Sequence, residues 1–385
     1  MKRAVYNEDH EAFRKMIRDF LAKEVVPHFD EWQEAGLPPR DLFRKLGDIG
    51  VTGFGIPEEY GGPGDISFKY QAVITEECAR ASVQLGHYGL STGMVLPYLL
   101  SLATEEQKRR WLPGIAAGEL VLCIGMTEPG TGSDLAGIKT AAKLSDDGTH
   151  YVLNGAKTFI SGARRSELCV VVARTSAATA EDRRGGLSLL VVPTDSEGFE
   201  YGRILHKIGL KASDTNELSF TDVKVPVENL LGEEGKAFSY MGQNLPRERL
   251  IVGVEATARA ATAIELATDY VKERKVFGQS VASFQNTKFM LAECATEVAA
   301  AQAMVDQGME MDDAGELTPA DAARIKLFTT EMVGRVVDKC LQLHGGYGYM
   351  LEYPIARMYA DIRVNRIYGG SSEVMKTIIA KDIGL

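Results

Sequence analysis

The amino-acid sequence predicts an α+β protein in three consecutive parts, helical, then β-rich, then helical again. In the first and last thirds, apolar residues recur every three or four positions, whereas the middle third holds short β-rich runs between turn sequences. No stretch between those runs is long enough for a helical crossover, so we expect an antiparallel sheet or barrel. The predicted domains are an N-terminal all-α domain over 1–120, a middle β domain over 121–232 and a C-terminal four-helix bundle over 233–385.

The first part contains recognisable helix signals. Phe13, Ile17 and Leu21 share one helical face, and residues 104–107 (TEEQ) form a capping box that predicts the start of another helix. Gly118 is predicted to end that helix. Glycines at 86, 89 and 93 predict that the region 84–97 lines a deep ligand cavity, although glycines equally permit close helix packing.

The middle part shows five strand-like runs bounded by turn residues. The turn signals are Asp147-Gly148, Asn154-Gly155 and the 184–186 segment (RGG). The predicted strands are 121–127, 151–161, 167–175, 187–194 and 217–225.

Two apolar stripes predict long helices in the last part. Their alanine-rich faces predict further burial against sister subunits, hence a homo-oligomer. One stripe is Leu250, Val254, Ala258, Ala261, Ile264 and Val271, and the other is Ile325, Phe328, Met332, Val336 and Cys340.

Composition excludes several classes of function. A net charge of −10 with no Lys/Arg-rich run argues against nucleic-acid binding. No apolar run approaches the roughly 18 residues that span a membrane. Five irregularly spaced cysteines without a CxxC pair, and six histidines without an HxxxH pattern, predict reduced thiols and no metal site. The acidic N-terminus lacks the features of a transit or signal peptide, which favours a cytoplasmic location.

Three glycine clusters stand out as candidate ligand sites. Residues 126–134 (MTEPGTGSD) end a β-run, 342–349 (QLHGGYGY) end a long helix, and 368–373 (YGGSSE) precede a short helix. Small residues let backbone N–H groups and hydroxyls approach a large ligand closely. The alternative interpretation is purely structural: a Pro-Gly turn, a helix C-cap at Gly345, and a helix N-cap at Ser371 or Ser372.

Taken in this order, the clusters resemble the acyl-CoA dehydrogenase family, and the resemblance covers nearly the whole chain. The first cluster resembles the first signature of the family, and the second resembles part of its second signature. A further match is the segment 273–278 (ERKVFG), which is followed by Gln285.

The resemblance implies FAD bound between the β domain and the bundle, a homotetramer, an acyl-CoA substrate and an electron-transfer flavoprotein as acceptor. It implies that Thr127 and Ser161 contact the flavin ring, that Ser133 contacts the pyrophosphate and the CoA arm, and that Arg274 helps to hold the ADP part. The full implied FAD set is Met126, Thr127, Ser133, Phe159, Ile160, Ser161, Arg274, Phe277, Gln285, Gln342, Gly345, Gly346, Ser371 and Glu373. The implied substrate contacts are Ser133, Phe238, Arg249, Gly369 and Gly370.

One departure from the family pattern locates the catalytic base. Most members carry a glutamate directly after the tyrosine of the third cluster, where this chain has Gly369, which cannot abstract a proton. The long-chain and isovaleryl types instead carry the base on the first long bundle helix, in a pattern that 245–250 (LPRERL) resembles. Glu248 is therefore the predicted base for α-proton removal. The alternative is that the triplet Arg247-Glu248-Arg249 is a solvated charge run.

Two other functions stay open on the sequence. A flavin oxidase or monooxygenase would have the same fold. A catalytically silent structural or binding subunit would explain the missing glutamate at 369, although Glu248 argues against it.

Overall fold

The computed structural model describes residues 3–178 and 182–385. The first part is helical, as predicted. Thr104 and Gln107 form the predicted capping box, and Gly118, at φ +67°, follows the end of that helix. The helices are α1 (Glu8–Glu24), α2 (Phe29–Ala35), α3 (Asp41–Asp48), α4 (Phe68–Arg80), α5 (Tyr88–Leu90), α6 (Leu96–Leu102) and α7 (Glu105–Ala116).

The glycine-rich segment before α6 contains a π-helical turn, Ser91–Val95. Thr92 Oγ1 donates a hydrogen bond to the Tyr88 carbonyl at 2.9 Å, and Ser91 Oγ accepts from the Leu122 N–H at 3.0 Å. This turn therefore connects the helical part to the first strand of the sheet. Single π-turns within helices are frequent at functional sites.

The middle part is a largely antiparallel sheet. The strand order along the sheet is β6-β7-β3-β2-β4-β5-β8, with β1 pairing β4 off that path. The strands are β1 (Leu122–Gly125), β2 (Ala141–Leu144), β3 (His150–Ser161), β4 (Leu168–Arg174), β5 (Leu187–Pro193), β6 (Phe199–Ile204), β7 (Thr215–Pro226) and β8 (Leu230–Leu231).

The sheet differs from the sequence prediction in three respects. β1 runs parallel to β4 without a helical crossover, because the chain between them passes through β2 and β3 of the same sheet. Strands β2, β6 and β8 were not predicted; β2 and β6 are largely exposed, so they lack the apolar signal of a buried strand. The predicted turn at Asn154-Gly155 is wrong, because both residues lie within β3, where the register shifts beside Gly155.

The last part contains three long helices and two short ones. A small hairpin of β9 (Lys275–Val276) and β10 (Gln279–Ser280) follows the first. The helices are α8 (Ala237–Glu273), α9 (Gln285–Asp313), α10 (Pro319–His344), α11 (Pro354–Asp361) and α12 (Ser372–Asp382).

The predicted stripe of α8 is buried at Leu250, Val254 and Val271, but the buried face shifts in the middle of the helix. Ala256, Ala260, Ala263 and Ala267 are buried against α10, whereas the predicted Ala258, Ala261 and Ile264 are only partly buried. On α10 the predicted stripe is buried except for Phe328, which is exposed in the single chain. Alternative helical faces of similar alanine content cannot be told apart by periodicity, and packing against α10 decides between them.

Two further features concern the described residues only. No helix within 3–178 and 182–385 is long and apolar enough to cross a membrane. The same residues hold no group of three or more His, Cys, Asp and Glu side chains that could bind a metal ion.

Candidate active site

The charge triplet at the start of the bundle points in three directions. Arg247 is exposed and lies 3.6 Å from Asp312, Glu248 is partly buried, and Arg249 is buried. The Arg249 Nε donates a hydrogen bond to the Gly369 carbonyl at 3.3 Å. A solvated charge run is therefore wrong for positions 248 and 249. The helix continues through Pro246, so the predicted site lies within α8 and not at its end.

Glu248 and Gly369 occupy adjoining space although they lie 121 positions apart in the sequence. A Cβ atom built on Gly369 would lie 3.4 Å from Glu248 Oε1 and 3.4 Å from the Cε of Lys326. Gly369 also has a φ of +61°, in the left-handed region that favours glycine. The absence of a side chain at 369 thus leaves room for the carboxylate that reaches in from α8.

Burial makes this carboxylate a stronger base. Desolvation raises the pKa of Glu248 to about 7, and the positive charges of Arg249 and Lys326 oppose the rise. Burial, followed by the negative charge of Glu248, raises the pKa of Tyr98. A carboxyl group with a pKa near neutrality suits proton abstraction from a weak carbon acid at neutral pH.

Lys326 is a site residue that the sequence prediction missed. Its side chain is fully buried, and its Nζ donates to the Asn365 carbonyl at 3.0 Å and the Gly370 carbonyl at 2.7 Å. One sequence signal points to it: Lys326, Thr330 and Val333 share a helical face that is otherwise uncharged. A charged residue on a buried stripe is a candidate for a special role.

The predicted flavin contacts come from two adjacent segments of the β domain. The Thr158 N–H donates to the Thr127 carbonyl at 2.9 Å, which connects the Met126-Thr127 segment to β3. Phe159 is 66% exposed and has a φ of +61°, so its ring is exposed at the surface of the sheet. Ile160 is buried beneath the surface, and Ser161 ends β3.

A second buried lysine, also missed, supports this segment. Lys157 Nζ donates to the carbonyls of Met126 at 3.2 Å and Val172 at 2.8 Å and to the Glu128 carboxylate at 2.9 Å. It therefore joins the first glycine cluster to the strand that precedes Phe159.

The predicted ADP contacts converge in part. The guanidinium of Arg274, directly after α8, lies 5.8 Å from the centre of the Tyr347 ring in the second glycine cluster. Phe277 is 95% exposed at the tip of the β9–β10 hairpin. Gln285 is the first residue of α9. Gln342, Gly345 and Gly346 lie exposed at the end of α10.

The remaining predicted residues lie in three places. Ser133 is exposed in the loop after β1, beside Asp134, which pairs with Arg183 at 3.1 Å. Phe238 lies in the first turn of α8 under Arg184, whose guanidinium is 4.9 Å from its ring centre. Sequence reasoning missed both arginines. Ser371 is the N-cap of α12, and Glu373 is exposed in its first turn.

The glycine clusters and their neighbours fit a flavin nucleotide. A Cβ atom added at Gly130, Gly132, Gly345 or Gly346 would meet nothing within 4 Å, so the backbone there is open to a ligand. The exposed cation of Arg274 suits a phosphate group, and the exposed rings offer apolar surface to an aromatic ligand.

Three models of one family match the chain in sequence. The N-terminal domain of acyl-CoA dehydrogenase matches residues 7–119, the middle domain residues 123–223, and the C-terminal domain residues 235–384. The chain belongs to the acyl-CoA dehydrogenase family. It is accordingly an oxidoreductase.

Relatives and solved structures agree over almost the entire chain. The mitochondrial long-chain specific acyl-CoA dehydrogenase of Sus scrofa is 42% identical over 99% of this chain and 88% of its own length. Subunit CarC of the caffeyl-CoA reductase–Etf complex of Acetobacterium woodii is 37% identical over 97% of this chain and 98% of its own.

Among solved structures, an acyl-CoA dehydrogenase from Geobacillus kaustophilus has a TM-score of 0.96 and 45% identity, with complete coverage of both chains. An acyl-CoA dehydrogenase from Bacillus anthracis complexed with FAD has a TM-score of 0.89 and 31% identity, over 98% of this chain and 68% of its own.

Proposed function

We propose that this enzyme binds FAD and oxidises an acyl-CoA to the trans-2-enoyl-CoA, with Glu248 as the base that removes the α-proton. The observation that carries the proposal is the position of the Glu248 carboxylate, which lies against the side-chain-free Gly369 in an environment that raises its pKa to about 7. The family and the FAD in the Bacillus anthracis relative support the cofactor.

FAD supplies the acceptor for the hydride that leaves the β-carbon. The chain supplies the other requirements. Glu248 takes the α-proton, and a backbone N–H of the Gly369–Gly370 turn stabilises the negative charge that develops on the thioester oxygen. Arg249 holds the Gly369 carbonyl, so this turn is fixed before the substrate arrives. Burial of the site keeps water away from the carboxylate and strengthens these interactions.

A cavity of about 370 Å³ lies against α8 on the side of Arg247, and we propose that a medium-chain, long-chain or branched acyl group extends towards it from Glu248. Thr92, Gly93 and Pro97 line it within the region predicted from the glycines, and Asn244, Arg247 and Ile251 line it from α8.

Two of the three glycines in the predicted pocket region leave open space. A Cβ added to Gly93 would meet only Gln71, at 3.9 Å, and one added to Gly89 would meet nothing within 4 Å. By contrast, a Cβ at Gly86 would lie 2.7 Å from Pro38. Gly86 therefore serves close packing, Gly93 lines the cavity, and Gly89 is exposed.

Reoxidation, assembly and location stay predictions. An electron-transfer flavoprotein is the proposed acceptor, which the name of the CarC relative supports. Exposed apolar side chains on the bundle, Phe289 and Phe328, support a homotetramer, and a light-scattering mass near the 42.0 kDa of one chain would rule it out. A cytoplasmic location is likewise proposed.

Anaerobic flavin bleaching by a series of acyl-CoAs tests the proposal and resolves chain length. We expect a yellow protein whose flavin absorbance falls with at least one saturated acyl-CoA. Oxygen consumption without an external acceptor would favour the oxidase, and a colourless protein would favour the silent subunit. The CarC relative also favours testing the reverse direction, in which an enoyl-CoA reoxidises the reduced flavin. Reoxidation by enoyl-CoAs with no bleaching by any saturated acyl-CoA would favour a reductase.

A further inference from the structure

Lys326 lies in an unusual place for a cation. Its side chain is fully buried in α10, and no carboxylate of the described residues lies within ion-pair distance of its Nζ. Its two hydrogen bonds go to backbone carbonyls, Asn365 at 3.0 Å and Gly370 at 2.7 Å. A buried ammonium group is costly unless it is compensated, so the charge at this position indicates a role that a neutral side chain would not fill.

The two carbonyls of the glycine turn are held by two cations from two helices. Arg249, from α8, donates to the carbonyl of Gly369, and Lys326, from α10, donates to the next carbonyl, that of Gly370. The Cε of Lys326 and the Oε1 of Glu248 each lie 3.4 Å from where a Cβ of Gly369 would be. The ammonium-bearing side chain and the carboxylate therefore approach the same glycine.

We propose that Lys326 is a positioning residue for the dehydrogenation, whose ammonium group fixes the Gly369–Gly370 turn and keeps the neighbouring Glu248 carboxylate ionised at neutral pH. This inference rests on the proposed function. One side chain would then have two effects: it fixes the backbone that binds the thioester, and it keeps the base in its ionised form.

The charged groups around Glu248 agree with this role. Arg249 on its own helix and Lys326 on α10 both lower the pKa of Glu248, against the larger effect of burial. Burial, followed by the positive charge of Arg249, lowers the pKa of Lys326 to about 8, although the negative charges of Glu248 and Glu331 oppose this shift. Two phenols, Tyr98 and Tyr368, also face Glu248, and burial raises the pKa of both above their ordinary value, so they stay neutral.

Removing the positive charge at 326 raises the pKa of Glu248, so its ionised, basic form is reached only at higher pH. The acid limb of the pH profile of kcat/KM then moves to higher pH, by about one pH unit for the loss of one buried charge near the carboxylate. At pH 7 this alone lowers kcat/KM about tenfold or less.

The test uses Lys326→Met, which keeps the aliphatic stem, and Lys326→Gln, which keeps a donor but loses the charge. Lys339→Met is the matched control, because Lys339 lies on the same helix, partly exposed, and pairs with Glu293. The rate of anaerobic flavin bleaching is measured from pH 5.5 to 9.5 for the FAD-loaded enzyme, with flavin content and unfolding temperature recorded for each variant.

We expect the acid limb to move up in both Lys326 variants and to stay in place in Lys339→Met. A limb at the parental pH in Lys326→Met and Lys326→Gln, with only the rate reduced, would overturn the inference and leave Lys326 a structural residue. If none of the acyl-CoAs bleaches the flavin of the parent enzyme, the proposed function itself is wrong.

A second measurement needs no turnover. Glu248→Gln is made in the parent and in the Lys326→Met and Lys326→Gln backgrounds, and unfolding temperatures are compared at pH 7. An ionised carboxylate costs more once the cation is gone, so we expect Glu248→Gln to be more stabilising in the Lys326 variants than in the parent. Equal effects in all backgrounds would show that Lys326 and Glu248 do not interact.

Discussion

Two buried lysines, one in the β domain and one in the bundle, support two parts of the same predicted site in different ways. Lys157 joins the Met126 segment to β3 and pairs with Glu128 at 2.9 Å. The Glu128 carboxylate also accepts from the backbone N–H groups of Lys139 and Thr140, at 2.7 and 2.8 Å. Lys326 makes carbonyl contacts of the same kind, but none of the carboxylates within 3–178 and 182–385 is in contact with it.

The difference separates a compensated charge from an available one. The Lys157–Glu128 pair neutralises itself, so it can stiffen the proposed flavin segment without affecting charges elsewhere. Lys326 contacts no anion among the residues that the structure describes, and burial, followed by the charge of Arg249, lowers its pKa to about 8. Its field therefore acts on the partly buried Glu248 nearby, which is where the proposed chemistry needs a positive charge.

The largest effect is expected at the base itself. Glu248→Gln keeps the size of the side chain and removes its basicity, so flavin bleaching by acyl-CoA should slow by about 10²–10⁴-fold or more, while FAD stays bound. Glu265→Gln, on the exposed face of the same helix, is the control and should bleach at the parental rate. Parental bleaching in Glu248→Gln would show that another residue is the base.

Breaking the compensated pair should cost more stability than removing the uncompensated lysine. Lys157→Met leaves Glu128 buried without its cation, which typically costs about 3–5 kcal/mol. Lys326→Met removes a buried charge that has no contacting carboxylate among the described residues, and so also removes the cost of desolvating it. We therefore expect the denaturant midpoint of unfolding to fall less in Lys326→Met than in Lys157→Met. Adding Glu128→Gln to Lys157→Met should restore part of the loss. A larger loss in Lys326→Met than in Lys157→Met would contradict the comparison.

An exposed cation should matter for the ligand and not for the fold. Arg274→Ala should weaken FAD retention by about 1.5–3 kcal/mol, the value of a charge-assisted hydrogen bond to phosphate, with little change in the stability of the FAD-free protein. FAD retention is measured by dialysis in salt, with Lys272→Ala, two residues away on the last turn of α8, as control. Equal FAD retention in both variants would remove Arg274 from the site.

The smallest effect concerns stability against pH. Burial raises the pKa of Glu248 from 4.5 to about 7, so its contribution to stability is complete below pH 4.5 and is lost as the pH rises through 7. The unfolding temperature of Glu248→Gln should therefore rise relative to that of the parent as the pH increases from 5 to 7.5, by about 2–4 °C for each kcal/mol of stability that the parent loses. Above that range Lys326 begins to lose its proton. A constant difference between the two proteins would mean that the pKa of Glu248 is not raised.

Some site features could be predicted because their causes are local. The capping box at Thr104 and the N-cap at Ser371 depend on hydrogen bonds that span three residues, and both are present. Gly345 ends α10 as the C-cap interpretation required. Family resemblance, and not periodicity, singled out Glu248 through the missing side chain at 369.

Other features depend on contacts between distant parts of the chain. Nothing near Lys157 or Lys326 in sequence states that the lysine will be buried, since that follows from packing against residues such as Met126 and Gly370. The parallel pairing of β1 with β4 and the inclusion of Asn154-Gly155 in a strand arise from pairing across the sheet.

The sequence by itself therefore determined the order of helical and β parts, the helix ends and, through the resemblance, the family and the proposed base. Only the tertiary structure decided which face of α8 is buried, which lysines are desolvated and how close Glu248 lies to Gly369. Helix caps and periodicity arise within a few residues, where the chain has few alternatives. Burial and pKa arise from the sum of surrounding atoms, which are neighbours only after the chain has folded.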